Sequence, residues 1–318
     1  MIYESFKLIG EGETSQVYRA FDRLMNRPVA VKRIKTGKLQ GDAVESALER
    51  TRALRHLIHP NLPVIYDIYR NDDVFIVTEL FEGENFDALS RHGKMLIEQF
   101  IPFALQIQEG MIAAHAQGIL HHGIKPTNIM LQWLPSGSMH VKIVDFGLSR
   151  LAEATGRAAS ERSVASARFM SPEQFDQQPV DVRSDLYALG CLYYFGLTQR
   201  HPFDGENLRE VIDSHLSHRV LPLHEVRPDL APWLCDWVMW HIQPQPADRP
   251  ENAMSAFQWF KRHAASHSEA EHAFKRPAKS VATSERYRTP RAKSVVNAVV
   301  PFDKRRSTVS HLPSHTSS

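Results

Sequence analysis

Cysteine is nearly missing from this chain. Cys191 and Cys235 are the only two, too few for a disulfide scaffold and without the paired spacing of a zinc site. A reducing compartment, the cytoplasm, is the expected location. Long apolar runs are missing as well. The opening Met1-Ile2-Tyr3-Glu4-Ser5-Phe6-Lys7 has no apolar signal core, and the uncharged stretch Leu186 to Gln199 falls short of the roughly 20 residues that span a bilayer, so no transmembrane segment is expected. Excess charge of one sign is lacking too. A formal net charge of +2 over 318 residues gives no electrostatic reason to expect a nucleic-acid partner. No internal repeat of solenoid period occurs. What is present, 42% hydrophobic and 23% charged residues, describes a soluble globular chain with one large domain or two ordinary ones.

Charge is unevenly placed. Residues 264–318 hold ten of the 38 Lys and Arg but only four of the 36 Asp and Glu, so an acidic globule carries a basic tail. The tail is also rich in Ser, Thr, His and Pro and poor in aromatics, a mixture that buries too little to offset ordering entropy. It reads as disordered. Ser307 and Thr308 after Arg305-Arg306, and Thr289 before Pro290, are sites of the kind that other enzymes phosphorylate.

Strand patterns rich in β-branched and aromatic residues occupy Ser15 to Phe21, Arg27 to Ile34, Val64 to Tyr69 and Val74 to Leu80, with helical spacing between them over Asp42 to Ile58. Beyond Gly83 the spacing turns mainly helical, at Glu98 to Gln117, Val182 to Leu197, Asn207 to Leu216, Ala231 to Ile242 and Glu251 to Ala264. A hairpin, Ile129 to Gln132 and Val141 to Val144, turns through Pro135-Ser136-Gly137-Ser138. The expectation is an α+β, bilobal molecule with a small sheet lobe and a larger helical one.

Gly10-Glu11-Gly12-Glu13-Thr14-Ser15-Gln16-Val17 joins two strands, and its glycines would let backbone amides approach a triphosphate; taken alone it is weak evidence, and a turn with two glycines is the better reading. Val29-Ala30-Val31-Lys32 follows, a lysine on a buried strand where an ammonium needs an anionic partner. Further on stand His121-His122-Gly123-Ile124-Lys125-Pro126-Thr127-Asn128, Asp145-Phe146-Gly147, Ser171-Pro172-Glu173, Ser184-Asp185-Leu186-Tyr187-Ala188-Leu189-Gly190 and Asp248-Arg249-Pro250.

Their order closely resembles the protein kinase superfamily, specifically bacterial Ser/Thr kinases of eukaryotic type, over residues 1 to about 263. The resemblance implies a kinase fold with a small lobe at about 1–81, a large lobe at about 82–263, and ATP and Mg²⁺ as cofactors. It implies that Ile9, Gly10 and Gly12 cover the nucleotide and that Lys32 holds the α and β phosphates. Lys125 would face the γ-phosphate, and Asn128 and Asp145 would hold the metal. Adenine would lie between Val17 and Ala30 above and Met130 below, with Thr78 as gatekeeper and backbone groups of Glu79 and Phe81 at its edge. Glu173 and Arg249 would form a buried structural pair, and Ser166 stands at the substrate-loop Ser/Thr.

The pattern breaks where the chemistry is. The family's catalytic Asp, five positions before the metal-binding Asn, is Gly123 here, and the preceding Arg is His122. Glycine offers nothing to accept the substrate proton. Arg50 stands where the family has the glutamate that pairs with the strand lysine, with Glu49 beside it, and Ser15 replaces a third glycine. Leu54, Ile65, His121, Phe146 and Asp185 keep the residue types of the family's active packing. This combination implies a pseudokinase that binds MgATP and a protein partner; a slow kinase acting on a protein substrate with a depleted but sufficient site is the alternative, and His122 reads as a hydrogen-bonded loop histidine in preference to a substitute base.

Overall fold

The computed structural model describes residues 2–12, 15–35, 54–146 and 163–266, with Leu48 and Arg52 as isolated helical positions. Five antiparallel strands form the first sheet: β1 (Tyr3–Glu11), β2 (Ser15–Asp22), β3 (Arg27–Ile34), β4 (Ile65–Arg70) and β5 (Val74–Glu79), in the spatial order β1-β2-β3-β5-β4. Period-2 alternation explains its two faces. Val29, Val31 and Val77 pack with Ala20 on one side, and Ile34, Ile68, Val74 and Ile76 pack with Leu48 on the other.

The four strands expected from the sequence lie within one residue of their expected limits at each end. β1 had no delimited signal because it is an edge strand whose Phe6, Leu8 and Ile9 are exposed. Most of the helix expected over Asp42 to Ile58, including Glu49 and Arg50, lies outside the described residues.

Past the connecting segment come β6 (Glu84–Asn85), α1 (Phe86–Ser90) and α2 (Ile97–His115), then β7 (Ile129–Trp133) and β8 (Met139–Ile143), which join β6 in a three-stranded sheet. Short helices α3 (Val164–Ala167) and α4 (Pro172–Phe175) precede α5 (Val182–Thr198). The chain then runs through α6 (Leu208–Leu216), α7 (Leu223–Val226), α8 (Pro232–His241) and α9 (Ala253–Ser266). Among the described residues no helix is long and apolar enough to cross a membrane. The basic tail beyond residue 266 lies outside the described residues.

α5 is the axis of the large core. Leu186, Tyr187, Leu189, Cys191, Leu192, Tyr193 and Leu197 are wholly buried around its circumference, as expected for a helix that is apolar on every side. Asp181 caps its first turn by accepting the Arg183 amide. At Gly190 a Cβ would lie 2.5 Å from Ile242 and 2.6 Å from His241, so only glycine permits this close approach. Glu173 and Arg249 meet through two bonds of 2.7 and 2.9 Å, and Ser184 donates to the same carboxylate at 2.6 Å. Burial alone would raise the Glu173 carboxyl. Arg249 and Ser184 outweigh it and hold the carboxyl below its ordinary range.

Candidate active site

The cleft residues come from four segments: the β1–β2 turn, β3, the hinge after β5, and the loops flanking β7 and β8. Strand pairing does part of the positioning. Gly10 lies opposite Val17, Val17 opposite Lys32 and Ala30 opposite Thr78. In the turn, the Gly12 amide donates to the Ser15 carbonyl at 2.8 Å, while Glu13 and Thr14 lie outside the described residues. Ile9 is exposed, and Met130 on β7 is half-buried.

Two hinge groups suit the edge of a purine. The Glu79 amide is already committed to the Val64 carbonyl at 2.9 Å, so its carbonyl, which the Thr78 hydroxyl approaches at 3.2 Å, is the group left to accept. Two residues on, the Phe81 amide has no hydrogen-bond partner among the described residues. One acceptor and one donor at this spacing match an exocyclic amine beside a ring nitrogen.

Elsewhere in the site, Lys32 Nζ lies 2.5 Å from Asp145 Oδ2. Asn128 donates through Nδ2 to the Gly123 carbonyl at 2.7 Å, which leaves its Oδ1 as an oxygen donor. Asp145 and Asn128 could therefore each offer an oxygen to Mg²⁺, an ion that takes few protein oxygens and completes its shell with phosphate and water. Lys125 Nζ reaches the Ser166 hydroxyl at 3.3 Å, tying the loop to α3.

Two of the seven left-handed non-glycine residues among the described residues lie here. His122 (φ 60°) and Asp145 (φ 71°) both occupy the left-handed region, at about 1–3 kcal/mol each for non-glycine residues. Asp185 at the start of α5 holds the first of them: it accepts the His121 amide at 2.8 Å and the His122 amide at 2.9 Å. His115 contributes a third contact, from Nε2 at 3.1 Å. Burial would raise the Asp185 carboxyl, but His115 and His121 more than compensate, so it sits below the ordinary carboxylate range.

The Gly123 amide donates to His121 Nδ1 at 3.2 Å, and His121 Nε2 meets the Val144 carbonyl at 3.0 Å. A carbonyl only accepts, so Nε2 carries the hydrogen and His121 is the neutral ring, as burial also favours. Its ring packs 4.5 Å from that of Phe146. Leu54 and Phe146 share the large core, with Ile65 packed against it, while Gly147 lies outside the described residues.

Sequence reasoning missed Lys142. It is 6% exposed and bonds to Glu79 Oε1 at 2.5 Å and to the Leu62 carbonyl at 3.1 Å. A signal was available: a cation inside the apolar run Val141-Lys142-Ile143-Val144 needs a partner.

Such a cleft between a five-stranded sheet and a helical lobe defines the protein kinase class. The protein kinase domain model matches residues 3–260, and the chain belongs to that family. A protein named probable serine/threonine-protein kinase from Clostridium acetobutylicum is 31% identical over 254 residues, covering 79% of this chain and 38% of its own length. Serine/threonine-protein kinase pkn2 of Myxococcus xanthus is 31% identical over 252 residues, covering 77% of this chain and 30% of its own. The chain thus spans well under half the length of these relatives. The fold matches the crystal structure of Rad53 1–466 in complex with AMP-PNP, with a TM-score of 0.66 at 24% identity over 80% of this chain and 64% of that one.

Proposed function

We propose that this kinase domain binds MgATP but transfers phosphate poorly, and that it works in the cytoplasm as a regulatory or scaffolding pseudokinase with a protein partner. One observation carries the reading: Gly123, which the resemblance puts at the catalytic position, has no side chain, while Asn128 bonds the Gly123 carbonyl at 2.7 Å and Lys32 bonds Asp145 at 2.5 Å. Lys32 and Lys125 would neutralise phosphate charge, and Asn128 and Asp145 would hold the metal, which draws charge from the phosphate oxygens. The Glu79 carbonyl and Phe81 amide would orient adenine. Gly123 contributes only a carbonyl to Asn128 and an amide to His121, so no side chain there takes the proton of an acceptor hydroxyl.

A second reading, a slow Ser/Thr kinase, draws on the Lys125–Ser166 contact. General-base assistance is worth roughly 10²–10⁴-fold and kinases turn over at about 1–100 s⁻¹, so a site lacking only the base would run at roughly 10⁻⁴ to 1 s⁻¹. Phosphoryl transfer rests mainly on positioning and charge neutralisation, which the remaining residues supply. Measuring ATP affinity and phosphate transfer on one preparation separates the readings. Both require binding, and turnover in the ordinary kinase range would refute the pseudokinase.

A further inference from the structure

The buried ammonium of Lys142 has a place in the nucleotide cleft that the family motifs do not give it. Lys142 and His140 are alternate residues of β8 and share one of its faces. From that face Lys142 reaches Glu79 Oε1 at 2.5 Å and the Leu62 carbonyl at 3.1 Å. Its Nζ also stands 5.9 Å above the Phe81 ring, within cation–π range, and His140 meets the same ring edge-on at 5.4 Å. The Glu79 carboxylate accepts the Val64 amide at 3.0 Å through the oxygen that Lys142 holds.

Glu79 and Phe81, whose carbonyl and amide the nucleotide-binding reading uses, therefore both contact one cation through their side chains. β8 is itself anchored. Asn61 donates to the Val141 carbonyl at 2.8 Å, Gln106 accepts the Val141 amide at 2.9 Å, and His140 Nε2 donates to the Pro60 carbonyl at 3.0 Å. The strand that ends just before Asp145 is thus the platform on which the hinge sits.

We propose that Lys142 is a positioning residue for the adenine end of the cleft, fixing the Glu79 carbonyl and the Phe81 amide in the spacing that a purine edge requires. The inference rests on the nucleotide-binding reading and deepens it. A buried ion pair broken on one side leaves a charge without its partner. Removing the ammonium leaves the Glu79 carboxylate held by the Val64 amide alone, removes one contact to Phe81, and substitutes none of Lys32, Asn128 and Asp145.

The test uses two half-ligands on the full chain: adenosine, which needs the hinge, and magnesium tripolyphosphate, which needs the phosphate end. Lys142→Met is expected to weaken adenosine about tenfold and to leave tripolyphosphate affinity at the wild-type level, with Lys142→Arg restoring most of the adenosine binding. Equal adenosine affinity in Lys142→Met and wild type would overturn the proposal, as would a parallel loss of both ligands. If Lys142→Met does not fold, Glu79→Gln decides. It keeps an acceptor for Val64 and removes the charge, so selective loss of adenosine supports the role and wild-type affinity overturns it. Failure of the wild type to bind either half-ligand would instead defeat the nucleotide-binding reading, and the role of Lys142 with it.

Discussion

Lys32 and Asp145, 113 positions apart in sequence, meet across the cleft at 2.5 Å between Nζ and Oδ2. The lysine and aspartate side chains are 18% and 26% exposed, so both are open to a bound ligand. An ammonium beside a carboxylate at the mouth of a cleft is suited to exchange that partner for phosphate oxygens and a cation.

MgATP should therefore raise the melting temperature. At about 100 times its Kd, a ligand that binds only the native state adds about 2.7 kcal/mol, or roughly 5–10 °C for a domain of this size. Lys32→Met should abolish the shift, and Asp145→Asn should remove its dependence on Mg²⁺. A full shift in Lys32→Met would mean that the nucleotide sits elsewhere.

Gly123 lies outside the left-handed region, so an aspartate fits its backbone without strain. Gly123→Asp should raise phosphate transfer about tenfold or more if the missing base dominates the deficit. No gain in a radiolabelled-ATP assay would move the deficit to Arg50 or to another position.

The Glu173–Arg249 pair should prove costly to break. Arg249 is 3% exposed and also donates to the Gln243 and Pro244 carbonyls at 2.7 and 2.8 Å. Arg249→Met leaves the Glu173 carboxylate buried without its partner, and should cost about 3–5 kcal/mol in urea unfolding. Adding Glu173→Gln should recover part of that loss. A single-variant cost below about 1 kcal/mol would mean that the pair is solvent-screened.

Acid should destabilise the fold before the carboxylates titrate. Burial pushes the rings of His215 and His241 down, to about 3 and about 4. His121 is lowered too, chiefly by burial and partly offset by Asp185 and Asp145. Unfolded, each ring takes a proton near pH 6.5. Their contribution is whole above that pH and is lost as the pH falls toward 4, at about 1.4 kcal/mol per pH unit for each ring. Asp185 and Glu173, held below the ordinary range, add their loss only at lower pH. Melting should fall steadily from pH 7 to pH 5, and a constant melting temperature across that interval would contradict the assignment.

Much of this site was legible because its motifs are local. Gly123, Lys125 and Asn128 lie within six residues, and one 3₁₀ turn, Pro126–Asn128, brings Asn128 back to the Gly123 carbonyl. The β-branched residues of β3 and β5 announced the buried strands for the same reason. What stayed hidden depends on long-range pairing. Lys142 finds Glu79 63 positions away, and His115 finds Asp185 70 positions away, so neither partner follows from local spacing. The limits of β1 escaped because an exposed edge strand has no buried face to impose alternation. The contest between Glu49 and Arg50 for Lys32 falls outside the described residues, while Asp145 holds that lysine.

The most direct test of the account pairs two measurements on one preparation: MgATP affinity by titration, and transfer of labelled phosphate to the protein itself and to a generic acceptor, with Asp145→Asn as control. Saturable binding with turnover at or below roughly 1 s⁻¹ is the expected result. Turnover of tens per second that disappears in Asp145→Asn, or no binding at millimolar MgATP, would contradict it.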